Sequence, residues 1–533
     1  MSPDLTAFLD DLHTEYDPGT GMPWSTPTTP GYHTRMPQGS RVHETRLAAD
    51  YALGLFQSGT DDHVERAHTV LRALLAEQDT DPVSEHYGLW GWFLEEPAAR
   101  MAPADWNWAD FIGARLAQIE VMHGEQLHPG LRLDLCAALR HAALAIFRRN
   151  VRAGYSNIAV MGAVVTAAAA QLTADSGLLD YARRRLASVL ELAERQEGEF
   201  TEYNSPPYHL VIIEELDRAS LIVTDEAFRA TARALHERTW ATLARRFHPG
   251  TGQIAGPMSR AYHDRLEAEA TDFLTGSQHR ILVPAQPRTA EVAARFKALP
   301  TDPHEVTTRT GGTTWLTQDA CLGSAPEAIA WTQRRPLLGY WRTPEDPAVV
   351  LRARALLNGR DLAAACCRQT QQGARVLSAW WLLYDGGDFH PSLDRPEGSV
   401  YTVRDLRIAV ALSGRGVVCE ELGDGRFALG AGGFRAVLTV APGEFRGRAV
   451  SWQPHVSDGE VGVQAVLHEG AEEQLDFHQA PLRLAFGLEL LPTGHHPSTD
   501  AVTWSSGTDG QLDCNWGDLS VTAPATPTSF QRP

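Results

Sequence analysis

The hydrophobic period of this 533-residue chain changes once, and that change limits the fold more than any other feature. Residues 41–58, 60–78, 106–126, 128–149, 155–173, 177–196, 207–221 and 225–246 place apolar side chains three and four apart, the spacing of one helix face. Ser-Gly-Thr-Asp-Asp at 58–62, His-Pro-Gly at 128–130, Ala-Asp-Ser-Gly at 174–177 and His-Pro-Gly at 248–250 punctuate them. Beyond a Pro-rich stretch from Val283 to His304, the apolar runs become short and alternating. Val349 to Leu357, Arg375 to Tyr384, Val403 to Leu412, Phe434 to Val440 and Leu482 to Leu491 read as strands, and Asp424-Gly425, Asp458-Gly459 and Asp509-Gly510 as hairpin turns. Helices followed by strands predict an α+β chain of two segregated domains, not an alternating α/β sheet.

The helical half has two kinds of helix. Tyr181 to Glu194 is amphipathic, whereas Ile158 to Leu172 is apolar nearly all round and needs cover on every side. Half-wet helices alternating with enclosed ones predict an (α/α) toroid of helical hairpins. The expected division is a toroid over 1–282, a linker over 283–305 and an antiparallel β-sandwich over 306–533. The run from Ile158 to Leu172 is too short and too Ala-rich to predict a membrane span.

Charge narrows the partners. Lys+Arg is 47 and Asp+Glu is 66, a formal net charge of −19, which repels nucleic-acid phosphates and anionic lipid. The expectation is no nucleic-acid partner and no membrane; oligomeric state cannot be read. Lys297 is the one lysine, so covalent lysine chemistry is not expected. Six cysteines with no CxxC pair fit buried thiols in a reducing compartment, and the N-terminus shows no basic start or apolar stretch of signal type. A cytoplasmic location is expected.

Four clusters carry chemistry-bearing residues. In Glu199-Phe-Thr-Glu-Tyr-Asn-Ser-Pro-Pro-Tyr-His209, two prolines start a helix, so Glu202, Tyr203, Asn204, Tyr208 and His209 fall at one helix end; Asn and Tyr hydrogen bonds that merely hold a loop are the plainer reading. In Gly256-Pro-Met-Ser-Arg-Ala-Tyr-His263, Arg260 and Tyr262 point the same way if extended, and an adjacent Arg favours a phenolate base; an ion pair beside a packed Tyr is the alternative. In Tyr155-Ser-Asn-Ile-Ala-Val-Met-Gly162, Asn157 opens the most enclosed helix, either toward the toroid hole or as a helix cap. Trp90, Trp92, Trp106 and Trp108, with Glu95, Glu96, Asn107 and Asp110, suit stacking on sugar faces with acids for the hydroxyls, although Trp also fills cores. His33, His43 and His86 lie nearby in sequence. The sequence shows no phosphate-binding Gly-rich loop, HExxH, close zinc-ligand set or GxSxG. No cofactor and no metal are expected; Asp388 and His390 are the residues that would contribute to a metal assembled from distant positions.

The order YGLWGWFLEEP, DWNWADF, SNIAVMG, EFTEYNSPPYH, GPMSRAYH and WTQRRPLLGYW resembles the heparinase II/III-like, alginate-lyase-like group, in particular members with a YNSPTY loop. That group is built as an (α/α) toroid followed by an antiparallel β-sandwich. The resemblance implies β-elimination at a uronic acid, with an oligosaccharide substrate. Asn157 and Asn204 would polarise the carboxylate with Arg260 assisting, Tyr262 or Tyr208 would serve as base and acid, and His209 as partner base. Trp90, Trp92, Trp106, Trp108, Tyr203, Glu95, Asp110 and Glu202 would bind substrate. The chain lacks the Asn-His dipeptide of the alginate-lyase-like members and has Pro-Pro-Tyr-His where the similar loop has Pro-Thr-Tyr. The alternatives are a glycoside hydrolase drawing its acid and base from Glu95, Glu96, Asp105, Asp110 and Glu202, and a non-catalytic carbohydrate-binding protein.

Overall fold

The computed structural model describes residues 3–27, 33–277, 280–299, 303–387, 398–507 and 510–530. Asp388, His390 and Asp509 lie outside the described residues. The chain divides into two compact units, each assembled from several segments: Met1–Thr201, Tyr208–Trp240 and Gly276–Arg288 form one, and Glu202–Pro207, Ala241–Thr275 and Thr289–Pro533 the other. Where the sequence reading put a single boundary after 282, residues 241–275 therefore group with the strands.

The helical unit opens with α1 (Pro3–Thr14), followed by α2 (Thr45–Ser58), α3 (Asp61–Ala76), α4 (Trp108–His123), α5 (Pro129–Arg149), α6 (Ser156–Thr173), α7 (Ser176–Arg195), α8 (Pro206–Ile222) and α9 (Glu226–Arg246). Local chemistry sets the ends. Gly59 closes α2 at φ 68°, Pro129 begins α5, and the Asp175 carboxylate caps α7 by accepting the Leu178 N–H at 3.0 Å. Successive helices pair as hairpins, α2 with α3, α4 with α5 and α6 with α7, while α2 also packs on α4 and α4 on α6. Even-numbered helices thus form an inner ring and odd-numbered ones an outer layer, the (α/α) toroid.

Burial follows that division. From Ser156 to Ala170 every residue of α6 is buried; this helix is apolar enough to cross a membrane by composition, but it is core here. On α7 only Leu178, Ala182, Arg185, Leu186, Val189 and Ala193 are buried, one stripe at helical spacing. Side chains from α2 through α9 join in one apolar cluster.

In the strand unit the ladders form two antiparallel layers. One runs through strands 304–308, 312–316, 320–324, 337–341, 349–357, 400–413, 460–476 and 448–457; the other through 327–329, 365–372, 375–382, 482–492, 434–440, 426–431 and 418–423. The short strand Gly443–Phe445 pairs with one strand of each layer. Leu351, Val410 and Val463 of the first layer and Trp380, Phe486 and Leu438 of the second belong to one buried cluster, so the sandwich core lies between the layers. Asp424-Gly425 and Asp458-Gly459 are hairpin turns.

Candidate functional site

Hairpins alternate direction, so inner helices run parallel and their N-termini meet at one end of the helical unit. Cross-helix contacts show it. The Trp108 indole N–H at the start of α4 donates to Thr45 Oγ1 at the start of α2, at 2.9 Å, and Asn107 Nδ2 donates to the Tyr155 hydroxyl just before α6, at 3.2 Å. Deeper in, Arg115 of α4 reaches Asp50 of α2 at 2.8 Å and Glu214 and Glu215 of α8 at 3.4 and 3.5 Å, which puts these helices in the same register. Tyr208 and His209, in the first turn of α8, therefore open on the same end as Asn157, in the first turn of α6.

Aromatic and acidic groups rim this mouth. Trp92 and Trp108 stack, with ring centroids 5.0 Å apart, and His33 lies 5.4 Å from Trp92. Trp92, Phe93 and Trp108 line a cavity of about 230 Å³ whose polar lining includes Thr34, Ser40 and Glu44. Trp106 is half-buried beside the same helix start. Trp90 is a core residue instead: it is fully buried and its indole N–H donates to the Leu74 carbonyl at 2.9 Å.

Every carboxylate in this group is held by protein donors or burial. Glu95 lies 2.6 Å from Nδ1 of His43, whose other ring nitrogen is 3.4 Å from Asp17. Glu96 accepts from the Thr34 hydroxyl at 2.5 Å and the Arg35 N–H at 2.7 Å. Asp105 accepts from the Trp92 indole at 3.1 Å and the Asn107 N–H at 3.0 Å. Asp110 is buried between α4 and α6, where a Cβ on Gly162 would come within 2.6 Å of its Oδ1; only glycine leaves room for that carboxyl. Burial pushes its pKa up to about 7 against the opposing pull of Arg185 and Arg149.

Asn157 is 4% exposed, and its Oδ1 is buried without a hydrogen-bond partner. Of the pair opening α8, Tyr208 is half-buried, while His209 is fully buried with its ring 5.0 Å from Phe200. His86 is half-buried, its N–H bonded to Ser84 Oγ.

The remaining sequence candidates belong to the strand unit. Asn204 is fully buried in the left-handed region at φ 42°, and its amide donates to the carbonyls of Ala255 at 2.7 Å and Pro257 at 2.6 Å. With its protons on backbone, Asn204 acts as a clamp on the Gly256–His263 segment. The Tyr203 carbonyl accepts from the Ser259 hydroxyl at 2.6 Å, and Glu202 is half-buried. Arg260 lies over the Trp331 ring at 4.6 Å and reaches Gln333 at 3.4 Å, while Tyr262 is 53% exposed.

Sequence reading missed the deepest polar feature of the helical unit. Below the mouth, Arg218 of α8 bonds Glu215 at 3.1 Å, Glu214 at 2.9 Å and the Gln118 side-chain oxygen, with Arg218 and Glu215 each 1% exposed. Burial opposes ionisation of Glu214, but Arg115, Arg280, Arg218 and Arg46 outweigh it and hold its carboxyl well below the usual range. The signal was present as Glu214, Glu215, Asp217 and Arg218 inside an otherwise apolar helix.

Comparisons with known proteins bear mainly on the fold. A family model described as a domain of unknown function (DUF8769) matches residues 27–272. No curated protein sequence matches the chain. The crystal structure of heparinase III is similar with a TM-score of 0.51 at 10% identity, covering 99% of this chain and 91% of that one. A GH127 β-arabinofuranosidase matches at a TM-score of 0.29 and 10% identity over 89% of this chain and 74% of its own. A second, the GH127 β-L-arabinofuranosidase from Geobacillus stearothermophilus T6, matches at 0.23 and 9% identity over 90% and 77%. The first establishes a shared two-domain fold; the other two carry no argument.

Proposed function

We propose that the chain is a carbohydrate-active enzyme that cleaves uronate-containing oligosaccharides by β-elimination. The observation that carries this reading is the meeting of inner-helix N-termini at one end of the helical unit, with Asn157, Tyr208 and His209 in first turns and the Trp92–Trp108 pair at the start of α4. Helix N-termini present unpaired N–H groups and positive potential, the environment a substrate carboxylate needs within a chain of net charge −19. Likeness in fold to a protein named heparinase supports the same substrate class.

In this mechanism the Asn157 amide and helix ends neutralise the uronate carboxylate, which acidifies the C5 proton. Tyr208, entering as the phenolate, takes that proton and becomes the neutral phenol as the C5–H bond breaks, the electron pair forms the C4–C5 double bond, and the C4–O bond breaks. The leaving oxygen takes a proton from the tyrosine, and His209 holds the first turn in which the tyrosine sits. Hydrolysis requires two carboxyl groups free to reach substrate. Of the hydrolase candidates, Glu95, Glu96 and Asp105 are engaged by protein donors and Asp110 is buried, while Glu202 is half-buried in the strand unit.

The test is ultraviolet absorbance of unsaturated uronate on a panel of uronate oligosaccharides. Asn157→Ala is expected to lower the rate about 10²–10³-fold and Tyr208→Phe about 10²–10⁴-fold. Loss in Tyr262→Phe with Tyr208→Phe unimpaired would move the base to Tyr262. New reducing ends without absorbance would replace elimination by hydrolysis, and sugar binding without turnover would leave a carbohydrate-binding protein.

A further inference from the structure

At the other end of the helical unit, Glu65 and His68 of α3 meet His128, the residue before α5. Glu65 Oε1 is 3.5 Å from Nδ1 of His68 and 3.5 Å from Nε2 of His128, and all three atoms lie within 4.8 Å of one another. The imidazole rings are 4.0 Å apart between centroids. The cluster adjoins the C-terminal end of α4, whose 16 residues put it about 24 Å from the mouth described above.

His68 supplies the independent observation. It is 1% exposed, and its Nε2 lies 2.9 Å from the Gln126 carbonyl oxygen. An imidazole nitrogen at that distance from a carbonyl donates, so Nε2 is engaged and Nδ1 is the nitrogen left to take a ligand. That Nδ1 is buried, has no hydrogen-bond partner, and faces the Glu65 carboxylate. A metal cation between this Nδ1 and the carboxylate would give both a ligand bond.

The spacing identifies the cation class. Ligand bonds of about 2.0–2.1 Å in a tetrahedral site place neighbouring ligand atoms about 3.4 Å apart. The two Glu65 edges, at 3.5 Å, match. Two imidazoles and one carboxylate suit a borderline transition ion rather than calcium or magnesium, which prefer all-oxygen sites. A backbone carbonyl fixing the tautomer of a ligating histidine is the usual outer support of such a site.

We propose that Glu65, His68 and His128 form a divalent transition-metal site of zinc type, with its remaining coordination open to water, that ties α3 to the start of α5. This site is remote from the mouth and does not depend on the proposed elimination chemistry.

The experiment is isothermal titration of Zn²⁺ into the tag-free, chelator-treated full chain, with Co²⁺ absorption to report geometry. One equivalent is expected to bind, Co²⁺ giving a tetrahedral spectrum. Glu65 and His128 are exposed, so Glu65→Gln and His128→Gln should fold normally by circular dichroism while each weakens binding at least about tenfold. His455→Ala, in the strand unit, should leave the titration unchanged. Weak binding at several sites, or one-site binding that persists in the Glu65→Gln/His128→Gln double variant, would overturn the proposal.

Discussion

The two units bury different things. At the centre of the helical unit, Arg115, Arg218, Glu215 and Asp217 are at most 5% exposed. Between the layers of the strand unit lie Leu351, Trp380, Val410, Leu484 and Phe486. Geometry explains the difference. Two sheets close on each other through side chains that interdigitate and exclude water, and an unpaired charge there has no partner. A ring of parallel helices leaves an axis that long side chains fill, and such chains carry charge. Those charges persist because each is paired; the strand unit keeps its buried charges, such as Arg335 and Arg352 on Asp264, outside the space between its layers.

The largest expected effect breaks that pairing. Arg218→Met removes the nearer of the two arginines paired with Glu215, leaving Arg115 at 3.5 Å, and should cost about 3–5 kcal/mol, read from denaturant unfolding followed by helical circular dichroism. Adding Glu215→Leu should recover much of the loss, because a buried pair replaced by apolar groups is often neutral. In the sandwich, Phe486→Ala should cost a similar 3–5 kcal/mol, but no second polar substitution should rescue it. Failure of the helical double variant to recover would mean that the network is not a self-contained set of pairs.

The two units should also answer pH in opposite directions. The pKa of Asp110, raised by burial to about 7 from an ordinary 3.8, means that the folded chain keeps a proton the unfolded chain releases. Stability therefore falls as pH rises between those values, by roughly 4 kcal/mol in all. Asp110→Asn should abolish that fall. In the strand unit, burial lowers His248 to about 4 from 6.5, against the Thr317 carbonyl, which favours the charged ring. There the unfolded chain binds the extra proton, so stability is lost as pH falls from 6.5 to 4, by roughly 3 kcal/mol. His248→Gln should flatten the acid side alone. Thermal midpoints across pH for both variants measure this, and a parallel shift in both would refute the separation.

Much of this contrast was legible in the sequence, for physical reasons. The period of α6 and the Asp-Gly turns at 424 and 458 are local, and local geometry needs no partner to be read. What period cannot supply is the partner. Trp90 and Trp92 look alike two residues apart, yet one is core and the other rims a cavity, because the chain bends between them. Asn204 resembles a substrate-binding amide until the carbonyls of Ala255 and Pro257, some fifty residues on, take its protons. Glu65 and His68 acquire meaning only when His128 arrives from another helix.

The smallest expected effect tests whether local signals matter equally in both units. Asp175 caps α7, whose inner stripe is packed; Thr289 caps Ala290–Arg295 of the strand unit by accepting the Val292 N–H at 3.3 Å, and that helix buries none of its residues. The caps have the same chemistry, so an isolated-helix argument predicts equal losses of about 1 kcal/mol on replacement by alanine. Packing predicts otherwise. Fraying α7 strips Leu178 and Ala182 from the core, so Asp175→Ala should register in global unfolding, whereas Thr289→Ala should free only a turn that opens on its own. Hydrogen exchange at the two first turns, set beside denaturation midpoints, separates the cases. Equal global losses would show that the short helix is coupled to the sandwich more firmly than its burial implies.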